Sequence, residues 1–304
     1  MDEYEFTLED RIAKIQAIDD QYDLNHNAYI SLSGGKDSTV LHYLVDMALP
    51  GNKIPRLFLN TGMEWKEILN FVKKLAEKDD RIIIYNSGVN IKDMLAKVGY
   101  PFKSKQHSNF VSVYQHQRAA GKDGMCRSVQ RYLGIVESNT FKCPEVLKYQ
   151  FQPEFGIKIS SRCCDMLKKH PAKVWAKEND KAISILGTRQ GEGGQRQSHS
   201  ECTTFEEGKL RKFKPLNPIS DDWEMEFIKR EGIELCELYN EPYNFRRTGC
   251  RMCPFALDLQ QEIDIARSSP ELATQLKAAE KIWKPVYDEY RRIGYRLRKE
   301  EKEE

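Results

Sequence analysis

The sequence predicts an α/β fold: a Rossmann-like parallel sheet flanked by helices, followed by a helical C-terminal segment clipped by cysteines. Three observations predict it. Short runs rich in Ile, Leu and Val alternate with amphipathic helical stretches in the N-terminal third. A Gly-Gly turn, Gly34-Gly35, joins one of those strands directly to a helix. Two cysteine pairs, Cys163-Cys164 and Cys250-Arg251-Met252-Cys253, fall in the second half of the chain.

In order, residues 4–20 read as an amphipathic helix with Phe6, Ile12, Ile15 and Ile18 as contacts. Ala28 to Leu32 is a buried strand. After the glycine turn, Val40, Leu41, Leu44, Val45 and Ala48 form one helical face. Pro55 to Leu59 is a second strand, ending in Asn60-Thr61-Gly62-Met63-Glu64, and a helix carrying Ile68, Phe71 and Val72 follows. Arg81 to Tyr85 is a third strand and Ile91 to Val98 a third helix. This alternation places ligands at the carboxyl ends of the strands, where the Gly-Gly-Lys and Asn-Thr-Gly loops both fall. Residues 100–160 are polar and read as an insertion bordering that edge.

Beyond it, a helix is expected from Cys163 to Ala176, and a strand from Ala182 to Leu186 that opens into a glycine-rich loop with Arg189 and Arg196. Lys209 to Leu216 reads as a strand, and Asp221 to Arg230 as a helix capped by Ser220. Leu272, Leu276, Ala279, Trp283, Val286 and Tyr290 mark a late helix that Pro285 should kink or divide. The expected division is a nucleotide-binding domain over 1–232 and a C-terminal segment over 233–304.

The 304 residues carry 48 basic and 46 acidic side chains, a net charge of +2, so no global field argues for nucleic acid or membrane. The acidic N-terminus lacks a signal-peptide pattern, and no apolar run approaches the roughly 20 residues of a membrane helix. A cytoplasmic protein with no membrane partner is expected. Its eight cysteines are then metal ligands or reactive thiols rather than disulfides.

The stretch from Ser31 to Ser38 carries the chemistry. A strand ending in amides at the positive end of a helix, with Lys36 beside them, is built to hold an anion such as phosphate. The spacing is not that of a Walker A loop. Ser33-Gly34-Gly35-Lys36-Asp37-Ser38 instead resembles the PP-loop of the adenine-nucleotide alpha-hydrolase-like enzymes. There it cradles pyrophosphate, either to adenylate a substrate or to bind a sulfonucleotide.

The resemblance extends, over roughly residues 25–256, to the phosphoadenylylsulfate (PAPS) reductase family. Asn60-Thr61-Gly62 stands for that family's Asp-Thr-Gly loop, with an asparagine in place of the aspartate. Gly187-Thr188-Arg189-Gln190-Gly191-Glu192-Gly193 stands for its Gly-x-Arg-x-x-Glu-Ser loop, and Pro215-Leu216 through Trp223 for its Pro-Leu…Trp segment. The resemblance implies an adenine nucleotide (ATP, adenylylsulfate or phosphoadenylylsulfate). Implied contacts are Ser31, Ser33, Gly34, Gly35, Lys36, Asp37, Ser38, Asn60, Thr61, Gly62, Glu64, Gly187 and Arg189. Arg189 can pair two oxygens of a phosphate or sulfate through its planar fork. Glu64 is a candidate for Mg²⁺ accompanying ATP or for a ribose hydroxyl, with a surface salt bridge as the bland alternative.

Cys163, Cys164, Cys250 and Cys253 resemble the cysteine pattern of family members that carry a [4Fe–4S] cluster. Neighbouring thiolates reach different irons of a cubane, whereas adjacent cysteines chelate a single zinc awkwardly; zinc is the alternative. Lys168 matches a lysine that follows the cysteine pair in those relatives, where a cluster can tune the charge facing the nucleotide. The late Glu-Cys-Gly-x-His segment that supplies the reductases' nucleophile is missing, because Cys253 is the last cysteine. Cys202 is the internal substitute, with Arg196 and His199 near it in sequence, and a half-buried structural cysteine is its plainer reading.

Lys36, Asp37, Arg189 and Cys202 are therefore the catalytic candidates for two chemistries. One reduces a sulfonucleotide to sulfite with a thiol reductant. The other adenylates an acceptor with ATP in the manner of tRNA-thiolating or DNA-phosphorothioation enzymes, with a nucleic-acid acceptor and a sulfur-donor protein. A third, non-catalytic reading is a nucleotide-sensing or nucleic-acid-binding module, suggested by Arg291, Arg292, Arg296, Arg298 and Lys299.

Overall fold

In the computed structural model the described residues are 2–139, 141–190 and 201–299. The chain opens with α1 (Glu3–Tyr22), α2 (Leu24–Asn27), β1 (Ala28–Leu32), α3 (Lys36–Ala48), β2 (Arg56–Asn60), α4 (Lys66–Ala76) and β3 (Ile82–Asn86). Helices α5 (Ile91–Val98), α6 (Lys105–Ala119), α7 (Arg127–Leu133) and α8 (His170–Glu178) follow. Then come β4 (Ile183–Leu186), β5 (Thr203–Glu206), β6 (Lys209–Phe213), α9 (Asp221–Arg230), α10 (Leu259–Ser268) and α11 (Pro270–Ile293).

Two compact units divide these elements. The first comprises Met1–Ser87 and His170–Gly249; the second comprises Gly88–Lys169 and Cys250–Glu304.

The first unit holds the sheet, in the order β3-β2-β1-β4-β6-β5. All neighbours are parallel except β5, which pairs antiparallel with β6. This is the expected α/β architecture. The added β5 was not foreseen: its Thr203-Thr204-Phe205-Glu206 run carries no strong apolar alternation. A tight turn supplies it, with Glu207 at φ 53° and Gly208 at φ 72°, the twist a two-residue hairpin prefers.

One sheet face packs Ile30 and Ile185 against Val40, Leu41 and Leu44 of α3, Ile15 and Ile18 of α1, and Phe227 of α9. Tyr29, Leu57 and Trp175 of α8 pack together in a second core cluster. Strand order reverses between β1 and β4, since β2 and β3 run outward one way and β6 and β5 the other. A cleft for ligands opens at such a switch point, outside the strands' carboxyl ends.

The second unit is helical. His107 is fully buried there, with Tyr132 Oη at 2.9 Å and Gln150 Oε1 at 2.7 Å. The expected helix starts at Cys163 and passes through a π-helical turn, Asp165–Lys169, before α8. Pro285 does not divide α11, which runs unbroken from Pro270 to Ile293. Burial of Trp283, Val286, Tyr287 and Tyr290 around it offsets the one backbone hydrogen bond a proline forfeits.

Candidate active site

The loop after β1 is fixed by its own hydroxyls. Ser38 Oγ accepts from the Ser33 amide at 3.1 Å, and the two serine hydroxyls lie 2.9 Å apart. Ser33 Oγ also accepts from the Gly35 amide at 3.3 Å. Gly34 is required twice over. Its φ is +70°, and a Cβ there would fall 2.9 Å from methyl groups of Ile68 and Val72. Lys36 opens α3 and Asp37 occupies its first turn, where a carboxylate complements the helix dipole.

At the end of β4, Gly187 lies against this loop so closely that a Cβ would meet the Asp37 carbonyl at 2.8 Å. That approach delivers Arg189. Buried to 4 % exposure, it donates from Nε to Asp37 Oδ1 at 2.6 Å and pairs through Nη2 with Asp221 at 2.6 Å and Glu224 at 3.0 Å. Glu224 of α9, fully buried, also ion-pairs with the Lys36 ammonium. Its other oxygen, Oε1, has no hydrogen-bond partner. Burial pulls the Lys36 ammonium below its usual range, against the opposing pull of Asp37. Two cations from opposite sides of the switch point thus meet on one buried carboxylate.

Sequence reasoning missed Glu224, although the helix that carries it was predicted with its Ser220 cap, which accepts from the Trp223 amide at 3.1 Å. It also missed Tyr239. That hydroxyl accepts from the Lys36 amide at 3.1 Å and shares a 2.6 Å bond with Thr248 Oγ1. A cavity of about 410 Å³ opens beside Lys36, lined by Met225, Ile233, Leu235, Tyr239, Phe245 and Arg246. Only tertiary contact reveals these residues; no motif spacing marks them.

Asn60, Thr61, Gly62 and Glu64 are cross-linked in a turn after β2, and Asn60 Nδ2 also donates to Asn86 Oδ1 at 2.9 Å. The Thr61 amide and hydroxyl both donate to the Glu64 carboxylate at 2.9 Å, and Asn60 Oδ1 accepts from the Gly62 amide at 3.2 Å. Ser31 is half-buried within β1, in register with Leu57 and Leu186. Cys202 sits just ahead of β5, its sulfur 3.8 Å from an Arg11 guanidinium nitrogen, with β6 and β4 between its strand and β1. The expected glycine-rich loop beyond Gln190, with Gly191, Glu192, Gly193, Arg196 and His199, lies outside the described residues.

All four paired cysteines fall in the second unit, together with Lys168 in the π-helical turn. They bear on one another electrostatically: burial first, then Cys164 and Cys250, raise the Cys163 thiol, and burial, Cys250, Cys164 and Cys163 raise that of Cys253. No three of their sulfurs lie within 4.8 Å of one another. A single tetrahedral ion with metal–sulfur bonds of about 2.3 Å would draw its ligands to roughly 3.8 Å apart. The basic C-terminal side chains are largely paired: Arg291 with Glu280 at 3.3 Å, Arg292 with Glu289 at 2.8 Å and Arg298 with Asp264 at 3.1 Å.

The sequence profile of the phosphoadenosine phosphosulfate reductase domain matches residues 27–125 and 124–256. The chain belongs to this family. This is a family of enzymes, and the mostly parallel sheet flanked by helices is the α/β fold expected of it. An uncharacterised protein of Methanocaldococcus jannaschii is 24% identical over 241 residues. That match covers 78% of this chain but 43% of the relative, so the chain spans less than half of that relative's length.

Similar solved structures include the PAPS reductase of Candida auris in a phosphate complex (15% identity, TM-score 0.44, covering 78% of this chain and 87% of that one). The NH3-dependent NAD synthetase of Campylobacter jejuni is 13% identical, with a TM-score of 0.41 and coverage of 94% and 96%. The U34-tRNA thiolase of Methanococcus maripaludis with its [4Fe–4S] cluster is 13% identical, with a TM-score of 0.39 and coverage of 96% and 80%. Among the described residues no helix is long and apolar enough to cross a membrane.

Proposed function

We propose that the chain binds ATP at the Lys36–Arg189 edge and adenylates an acceptor, releasing pyrophosphate, as a step in sulfur transfer. The observation that carries this reading is the convergence of Lys36 and Arg189 on Glu224, beside the loop at the start of α3. A nucleophilic oxygen or nitrogen of the acceptor forms a bond to the α-phosphorus. The bond from that phosphorus to the α–β bridging oxygen breaks, and its electron pair leaves with pyrophosphate. Charge grows on the departing pyrophosphate, where a lysine and a buried arginine are worth most. Mg²⁺ enters as part of the nucleotide substrate.

The family match favours a second reading, reduction of a sulfonucleotide to sulfite. That reaction needs a thiolate at the sulfur, and the Cys202 thiol instead faces Arg11. The first reading needs no thiol at this edge.

In either case Cys163, Cys164, Cys250 and Cys253 are the residues that would hold a [4Fe–4S] cluster. Zinc and iron–sulfur clusters both accept an all-thiol donor set, and the adjacent pair Cys163-Cys164 suits several irons better than one zinc. When bound, such a cluster supplies the positive charge that keeps four neighbouring sulfurs as thiolates.

The test incubates anaerobically purified protein separately with ATP, adenylylsulfate and its 3′-phosphorylated form, measuring pyrophosphate and sulfite. Pyrophosphate from ATP, lost in Lys36→Ala, supports adenylation. Sulfite release abolished by Cys202→Ser would replace it with the reductive reading.

A further inference from the structure

The Cys250–Cys253 loop is gripped by one face of α11. Trp283 Nε1 donates to the Arg251 carbonyl at 3.2 Å, Tyr287 Oη donates to the Met252 carbonyl, and Tyr290 Oη donates to the Pro254 carbonyl at 2.9 Å. The three aromatic residues recur at i, i+4 and i+7, the spacing that stacks side chains on one helix face. Each is almost fully buried. Spacing of this kind ordinarily signals a packing stripe, yet here each polar tip ends on a carbonyl within or just after the Cys-x-x-Cys.

The central residue of that grip is unusual. Met252 is fully buried with φ at +49°, in the left-handed region that a methionine rarely adopts. The loop needs this turn to close: the Cys253 amide bonds back to the Cys250 carbonyl at 3.2 Å and the Ala256 amide to the Cys253 carbonyl at 2.7 Å. A strained residue persists where its surroundings over-determine it. Here the surroundings include the Tyr287 hydroxyl on its own carbonyl.

We propose that Tyr287 is a positioning residue that holds Met252 in its left-handed conformation and so presets Cys250 and Cys253 for ligation. The inference rests on the reading of the four thiols as cluster ligands. Partners beyond the ligand sphere that fix a ligating loop are typically worth 10–100-fold in metal affinity. Glycine at 252 would adopt the left-handed turn without strain and should make the tyrosine hydroxyl dispensable.

The experiment compares full-length, anaerobically purified wild type with Tyr287→Phe, Tyr290→Phe and the double variant Tyr287→Phe/Met252→Gly. Iron and acid-labile sulfide per chain are measured, then the loss of visible absorbance under an iron chelator. Tyr287→Phe should lose iron on the order of tenfold faster than wild type. The double variant should return to within about threefold of wild type. Tyr290→Phe removes the hydroxyl that donates to Pro254 beyond Cys253 and accepts from the Lys103 amide at 2.6 Å, and should also stay within about threefold.

Retention by Tyr287→Phe equal to wild type overturns the proposal. So does equal acceleration in Tyr290→Phe, which would mark a general loss of packing, or a double variant no better than Tyr287→Phe. Wild type free of iron and sulfide overturns the cluster reading and this proposal together, whereas an iron-replete wild type with an unaffected Tyr287→Phe overturns only the latter.

Discussion

The first unit carries two buried charge networks at opposite ends of the same parallel strands. At the amino ends, Arg56 of β2 and Arg81 just before β3 meet Asp46 and Asp79. Arg81 straddles Asp46 with two 2.8 Å bonds and reaches Asp79 at 2.7 Å; Arg56 reaches Asp46 at 2.6 Å. Asn52 donates to Asp46 at 2.8 Å, and His42 Nδ1 accepts from Arg56 Nε at 3.2 Å. His42, Asp46 and Asp79 have metal-like spacing, but two guanidiniums already occupy the carboxylates.

At the carboxyl ends, Lys36 and Arg189 face Asp37, Asp221 and Glu224, and Glu224 Oε1 is left unpartnered. A closed network with balanced charge holds a fold together. An open one, with buried cations and an unsatisfied oxygen, is what a site looks like when its stability is subordinate to a ligand.

The largest effect should come from the open network. Lys36→Ala should lower pyrophosphate release from ATP by about a hundredfold or more, as loss of a positioned charge does at a transition state. Stability should fall less than in Asp46→Ala, because Arg189 still pairs with the buried Glu224. A large fall in unfolding temperature with activity retained would reverse the assignment of the two networks.

Asp46→Ala is the converse. It strands Arg56, which is completely buried, and should cost about 3 kcal/mol, with the KM for nucleotide unchanged. Equilibrium denaturation alongside nucleotide kinetics separates the two outcomes.

Acid should weaken the closed network specifically. Burial, then Arg56, holds His42 below its ordinary pKa, so its contribution is intact above about pH 6.5 and is lost as pH falls. The guanidinium partners hold Asp46 and Asp79 below the usual carboxylate range despite the opposing effect of burial, so theirs is lost at still lower pH. Unfolding temperature measured from pH 7 down to pH 5 should fall less steeply in His42→Gln than in wild type. Parallel curves would remove His42 from the account.

The smallest effect should be at Tyr239. Its hydroxyl occupies the Lys36 amide that an incoming phosphate would use, so Tyr239→Phe should tighten pyrophosphate binding about fivefold by calorimetry. Weaker binding would instead make the hydroxyl a phosphate ligand.

What the sequence determined by itself was local. The strand–Gly-Gly–helix unit, the Ser220 cap and the alternation that makes a parallel sheet are all encoded by neighbours a few residues apart. The family resemblance named Lys36 and Arg189 together as candidate nucleotide contacts, without the carboxylate on which they meet.

Tertiary structure alone decided which carboxylate joins them, that a tyrosine hydroxyl sits on the cradle's lysine amide, and that α11 grips the Cys250–Cys253 loop. The contact of Glu224 with Lys36 spans 188 residues and that of Tyr287 with Met252 spans 35. A glutamate on an exposed-looking helix turn and a tyrosine in an aromatic stripe carry no periodic mark of such roles. Helix periodicity reports only that a face is buried; the polar atom its side chains will meet is settled when the elements pack.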